Sequence, residues 1–206
     1  MKILLIILLF FSINSFAQVV AHHTNYEVMY DTLRHYPIYV KWTQRADMEN
    51  CNKLTRKNTF ATDSLLKWTK TDKYFNHSGI IDRGHMMPAE INLCQGVWVE
   101  HQCFLMGNIA AQYRAVNRGS WKSYETICYN YAKETDLDIW AGCIGEEKKM
   151  GIVSIPTKCW KVVHKLKTDT WEALLFNNNS DDSNNEFPRI KVPVEIIEQL
   201  TQLKFK

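Results

Sequence analysis

The sequence predicts an α+β domain, because strand-like and helix-like segments are mixed along it without the regular alternation of a parallel βαβ sheet. Residues 26–42 alternate apolar and polar positions and are rich in aromatic and β-branched side chains, the pattern of strand and turn. Residues 193–203 instead space Val194, Ile197, Leu200 and Leu203 along one face of a small packing helix. Composition agrees with a packed domain: 46% of the 206 residues are hydrophobic and 12% aromatic, too many for a disordered chain. Eight Gly and five Pro exclude collagen-like and Pro-rich linker readings. A chain of this length supports one domain and can bury a core without a metal.

The first residues are expected to lie outside that domain. Lys2 is followed by nine apolar residues, Ile3 to Phe11, and then by a polar, small-residue stretch ending Ser15-Phe16-Ala17. This is the layout of a secretory signal peptide, residues 1–17, leaving 18–206 as the mature domain. A membrane anchor is the alternative, but so short a run does not cross about 30 Å of hydrocarbon. The chain is therefore expected to be secreted or periplasmic, with no membrane partner. Loss of Lys2 lowers the formal charge of +3 by one, a weak basic bias that permits nucleic-acid binding without arguing for it.

Residues 45–77 are polar and basic and read as a solvated loop and helix surface. In residues 79–88, Ile80 and Ile81 suggest a short strand, with Gly84 and Pro88 as turns. From Glu100 to Tyr131 the pattern is helical in places, broken by a loop at Asn117-Arg118-Gly119, with Ser120 as a candidate cap for a helix starting at Trp121. Residues 137–144 and 151–164 read as strands joined by a polar connection, and 171–176 as another. Residues 177–186 lack apolar side chains and read as an exposed, mobile loop. His22 and His23 fall near the expected mature N-terminus, where disorder is the expectation. Trp98, Trp121 and Trp160 read as core residues. His164 with Lys158, Lys161, Lys165 and Lys167 reads either as a basic strand edge that tracks phosphates or as a solvated edge that blocks pairing.

All six cysteines, at 51, 94, 103, 128, 143 and 159, follow the leader. Export permits disulfides, so at least one is expected, with Cys94–Cys103 as the shortest closure. No C-x-x-C occurs, which argues against a structural zinc site.

The chemistry concentrates in Asp82-Arg83-Gly84-His85, a base, a cation and a Gly within four residues. Hydrolysis of a phosphodiester needs a deprotonated water and a cation for the developing charge. Histidine suits the first need because it ordinarily titrates near neutrality. Each residue alone has a structural alternative: His85 as a core histidine, Asn117-Arg118-Gly119 as a turn, Glu125 as a solvated helix residue.

Taken together, these residues resemble the signature of the DNA/RNA non-specific endonuclease family, a branch of the ββα-metal (His-Me finger) nucleases. The likeness continues through Met86-Met87-Pro88-Ala89, Asn108-Ile109-Ala110-Ala111-Gln112, Asn117-Arg118-Gly119-Ser120-Trp121 and Glu125, with weaker echoes at Arg56, Phe60 and Asp63. Ala111, the Glu90 and Asn92 region, and Cys143 depart from the family pattern in loop positions. The resemblance implies a ββα-metal core with a mostly antiparallel sheet flanked by helices. It also implies hydrolysis of DNA and RNA to products with 5′-phosphate ends. By the same resemblance, His85 is the general base, and Asn117 binds Mg²⁺, or Mn²⁺, as a hard oxygen ligand. Glu125 acts through a metal-bound water, Asn108 and Gln112 position the metal region, and Arg83, Arg56 and Arg118 hold phosphate. The competing readings are a non-catalytic exported nucleic-acid-binding module with the same fold and a small disulfide-stabilised adhesion domain. The first predicts loss of His85 or Asn117, and both are present; the second leaves the ordered downstream matches unexplained.

The leader makes a direct prediction. Mass spectrometry of the exported protein should find a new N-terminus after Ala17, and a retained Met1 would overturn this reading.

Overall fold

An antiparallel sheet of seven strands carries everything else. The computed structural model describes residues 17–45, 54–75, 79–93, 95–179 and 189–205. The expected leader up to Phe16, Cys51 and Cys94 lie outside the described residues. In chain order the strands are β1 (Gln18–His22), β2 (Glu27–Asp31), β3 (Tyr36–Gln44), β4 (Ile81–His85), β5 (Ile109–Tyr113), β6 (Leu137–Ile144), β7 (Lys148–Met150), β8 (Val153–Ile155), β9 (Lys158–Lys165), β10 (Thr170–Asn177) and β11 (Arg189–Val192). The helices are α1 (Val97–Gln102), α2 (Arg114–Val116), α3 (Lys122–Ala132) and α4 (Val194–Thr201). The large sheet runs β1-β2-β3-β6-β9-β10-β11, and every pairing in it is antiparallel. Two small ribbons, β4-β5 and β7-β8, complete the strands.

Strand periodicity sorts the side chains to two cores. On one face of the sheet Val28, Val40, Ile139, Ala141, Val163 and Phe176 join the main core, against which the β4-β5 ribbon and α3 pack. On the other face Trp160, Val162 and Ala173 meet Val194 and Ile197 of α4. The sequence expectation of an α+β, mostly antiparallel domain holds. Among the described residues no helix is long and apolar enough to cross a membrane.

Several local expectations are corrected. Ile109–Tyr113 is a strand, not part of a helix. Its alanines are good helix formers, but all five residues are buried, and packing overrides propensity. Gly84 is not a turn: it sits inside β4 opposite Ala110. Glycine is needed there because an added Cβ would fall 1.9 Å from Gln112 Oε1. Residues 117–121 join α2 to α3 across a kink at Gly119, whose φ/ψ of −97° and −107° are not helical; the expected break is there, but Asn117 itself continues α2, and Ser120 makes no capping bond at α3. The polar connection after β6 contains a further strand, β7. Asn178 is buried rather than on an exposed loop, because its amide satisfies Tyr113 N–H and the carbonyls of Ala111 and Pro156. His22 lies in β1, and His23 is buried with its Nε2 2.9 Å from Asp63 Oδ2. Trp121 and Trp160 are core residues, whereas Trp98 is exposed.

The four described cysteines form no disulfide. Cys103, Cys128, Cys143 and Cys159 are buried free thiols. Cys103 is not paired with Cys94; its Sγ accepts a hydrogen bond from Asn92 Nδ2. Cys143 and Cys159 face each other across β6 and β9 with Sγ atoms 3.3 Å apart, well beyond a bond of about 2.05 Å.

The tightest contact in the sheet yields a stability prediction. A Cβ on Gly142 would stand 1.8 Å from the backbone oxygen of Ile38, which is held in the adjoining strand β3. Gly142→Ala should destabilise the protein by at least about 2 kcal/mol in urea unfolding. A change within experimental error would show that the strands part easily there.

Candidate active site

The β4-β5 ribbon presents the motif. A two-stranded ribbon is marginal alone, and here it is held by side chains at each end. Asp82 pairs with Gln112 and His85 with Ile109 in its register. Asn108 closes the long connection between the strands. Its Oδ1 accepts from Met87 N–H and its Nδ2 donates to the carbonyls of Met87 and Cys103, each at 2.9 Å. The segment after His85 is thereby tied to the segment before β5. Gln112 fills the space that Gly84 leaves open, and its Nε2 lies 3.3 Å from Cys159 Sγ on the sheet.

Alternation along β4 puts Arg83 and His85 on one side and Asp82 on the other. Arg83 and His85 meet Phe60: the guanidinium lies 5.0 Å over its ring, and the imidazole packs against it at 5.5 Å. Phe104 adds an edge-on contact to His85 at 5.1 Å. Asp82 turns toward the helix. Its carboxylate accepts from Asn117 Nδ2 at 3.1 Å, Arg118 Nε at 2.7 Å and Arg114 Nε at 3.3 Å. Phe60, Asp82, Arg83, His85, Asn117 and Arg118 line a cleft of about 510 Å³ together with Arg56, Glu90 and Glu125. All six residues expected to act, His85, Arg83, Arg56, Asn117, Arg118 and Glu125, therefore converge on one cavity.

Burial sets the protonation states. The His85 imidazole is pushed down to about 3, by desolvation first and then by the positive charge of Arg56. Its Nε2 is buried and makes no hydrogen bond to the described residues. The sequence leads one to expect an ionisation in the ordinary histidine range; the structure moves it well to the acid side. Burial raises Asp82, but hydrogen bonds from Arg118 and Asn117 outweigh it and hold the carboxyl below its usual range. Burial raises Glu125, with Lys161 pulling the other way.

Lys161 is the residue that sequence reading misplaced. Strand β9 lies between β6 and β10, so it is no edge. Lys161 is 1% exposed, with Nζ 3.3 Å from Glu125 Oε1 and 4.0 Å over the Trp121 ring. Trp121 Nε1 in turn donates to the His85 carbonyl at 3.1 Å. The signal was present in the alternation: Lys161 shares its face with Cys159 and Val163, both core residues.

The donors suit a hydrated hard cation. Asn117 spends its Nδ2 on Asp82, which leaves the amide oxygen as its ligand atom. Glu125 is an ionisable carboxylate on the same cleft. Among the described residues no three His, Cys, Asp or Glu side chains converge, so this cleft is not an all-protein cage. It matches an ion that keeps most of its waters, as Mg²⁺ does.

The family model described as DNA/RNA non-specific endonuclease matches residues 11–206. Among solved structures, a chain in the crystal structure of the EndoG/EndoGI complex, described as showing the mechanism of EndoG inhibition, is similar in fold. It has a TM-score of 0.76 at 23% identity, over 90% of this chain and 84% of that one. No curated protein matches the sequence closely enough to compare.

The Lys161–Glu125 pair gives the test of this geometry. Lys161→Met strands a buried carboxylate and should cost about 3 kcal/mol in stability. In a Glu125→Gln background the same substitution should cost markedly less, because no charge is left unpaired. Equal costs in both backgrounds would show that the pair is not coupled.

Proposed function

This chain belongs to the DNA/RNA non-specific endonuclease family, and we propose that it is an exported, Mg²⁺-dependent member that cuts DNA and RNA without regard to sequence. The observation that carries the reading is His85, an imidazole held neutral by burial, on the same cleft as Asn117 and three arginines. Phosphates are the same at every step of a polynucleotide, so a cleft built from guanidinium groups reads the backbone and not the bases. The leader-like N-terminus supports export.

In this mechanism Arg56, Arg83 and Arg118 receive phosphate oxygens through charge-assisted hydrogen bonds and orient the scissile group. The His85 imidazole accepts a proton from the water that attacks phosphorus. The P–O3′ bond breaks with its electron pair leaving on O3′, that oxygen takes up a proton from water, and the products carry 5′-phosphate and 3′-hydroxyl ends. Phe60 and Phe104 keep the imidazole dry and fixed in orientation. Asn117 would hold the Mg²⁺ directly and Glu125 through one of its waters, with Asp82 fixing the Asn117 amide. When bound, the cation stabilises charge on the phosphoryl oxygen and acidifies its waters.

The roles of His85 and Asn117 separate experimentally. The mature protein should digest plasmid and RNA with Mg²⁺ and stop with excess chelator. His85→Ala should lower kcat by at least about 10²-fold while Mg²⁺ affinity hardly changes. Asn117→Ala should instead weaken Mg²⁺ binding and recover part of its activity at high Mg²⁺. Equal losses of metal affinity in both variants would make His85 a ligand, and near-normal activity in either would remove it from the mechanism.

A further inference from the structure

The arginines of the cleft are already engaged by carboxylates of this chain. The partner of Arg118, Asp82, has a side chain only 13% exposed and also holds Asn117 and Arg114, so it belongs to the frame of the site. Arg83 is paired with Asp72, which is not among the residues lining the cleft. Glu90 is different. Its Oε1 lies 3.0 Å from Arg56 Nη1, and its side chain, 42% exposed, faces the cleft that holds His85 and Asn117.

Its position is fixed from below. Glu90 stands on a single 3₁₀ turn, Ala89–Asn92, whose Ile91 and Asn92 are buried. The Asn92 amide donates to Val99 O and Cys103 Sγ and accepts from Asn25. The turn is therefore held in place and keeps the carboxylate within reach of Arg56 until a phosphate displaces it. Arg56 is steadied on its other side by the Phe104 ring, 5.5 Å from the guanidinium carbon. The charge of Glu90 is also felt deeper in the cleft: Glu125 is raised by burial first and, among smaller influences, by Glu90.

A carboxylate and a phosphate offer a guanidinium the same thing, a pair of anionic oxygens for its N–H fork. We propose that Glu90 is a built-in competitor for the substrate phosphate at Arg56, and that it sets how tightly the cleft holds nucleic acid. The proposal rests on the nuclease reading above. Binding exchanges one anion for another at Arg56, so this arginine releases little counterion when DNA docks. Neutralising Glu90 leaves Arg56 to draw ions from solution, which DNA must then displace.

The test is equilibrium binding of a short DNA duplex in excess chelator, where it is not cut, measured across a range of salt. Glu90→Gln should bind about 1.5- to 5-fold more tightly at low salt, the range for an exposed ion pair. Its plot of log K against log salt should be steeper by up to about 0.9, the share of one phosphate contact. Glu90→Ala should move both readings in the same direction. In an Arg56→Gln background the gain from Glu90→Gln should fall by at least half. Unchanged or weaker binding by both Glu90 variants overturns the proposal, and so does a full gain without Arg56. If the wild-type protein neither binds nor cuts nucleic acid, the nuclease reading itself fails; if it binds and the Glu90 variants are no tighter, only the role of Glu90 does.

Discussion

The hydrogen bond from the Trp121 indole to the His85 carbonyl lies where three parts of the molecule meet. Its acceptor ends β4, its donor follows the kink at Gly119 and precedes α3, and the ring that carries the donor lies under the buried Lys161 of β9. Lys161 reaches past the ring to Glu125, one turn along α3. The strand with the base, the helix with the carboxylate and the sheet beneath both are thus held to one another within a few ångströms. None of the three anchors is dispensable. A buried ammonium without Glu125, or a buried carboxylate without Lys161, would carry an uncompensated charge. The Trp121 ring packs against the ammonium of the pair, 4.0 Å from Nζ.

The same burial governs how the protein responds to acid. His85 is neutral in the fold to about pH 3, whereas an exposed histidine protonates near 6.5. Below 6.5 the unfolded chain therefore takes up a proton that the folded one refuses. The stability contributed by neutral burial is complete above that pH and is lost as the pH falls from 6.5 toward 3. Asp82 works in the same direction in its own range: its folded carboxyl titrates below its ordinary value, so protonation removes stability as acid releases Arg118 and Asn117. A histidine held neutral by burial and Arg56 keeps its lone pair free at ordinary pH but is a weak base. Arg56, whose charge adds to the effect of burial, is expected to meet phosphate, so docking a phosphate should relax that part of the depression and make the base stronger.

Much of this was legible in the sequence. The alternation of 26–42 appears as β2 and β3, and Val194 with Ile197 faces the core from α4 as its spacing required. The motif residues from Asp82 to Glu125 meet in one cleft because a β-ribbon and the following helix bring them there. What failed did so for tertiary reasons. Residues 109–113 looked like helix because local propensity cannot register a strand that is buried all round. Gly84 looked like a turn because its role is to make room for Gln112, twenty-eight positions away in sequence. Lys161 looked solvated because lysines usually are; its alternation with core residues was the stronger signal. Asn178, in a polar run, gave no sign that its amide would close three backbone groups in the interior.

At the centre of the account is an imidazole kept dry and neutral by its surroundings, and its titration can be observed directly. Imidazole NMR of the metal-free protein, with the His85 signal assigned by its loss in His85→Ala, should show that ring unprotonated through the range in which exposed histidines titrate, with its midpoint displaced to about 3. A His85 midpoint close to 6.5 would contradict the account, because the ring would then be solvated and the cleft would not hold a preformed base.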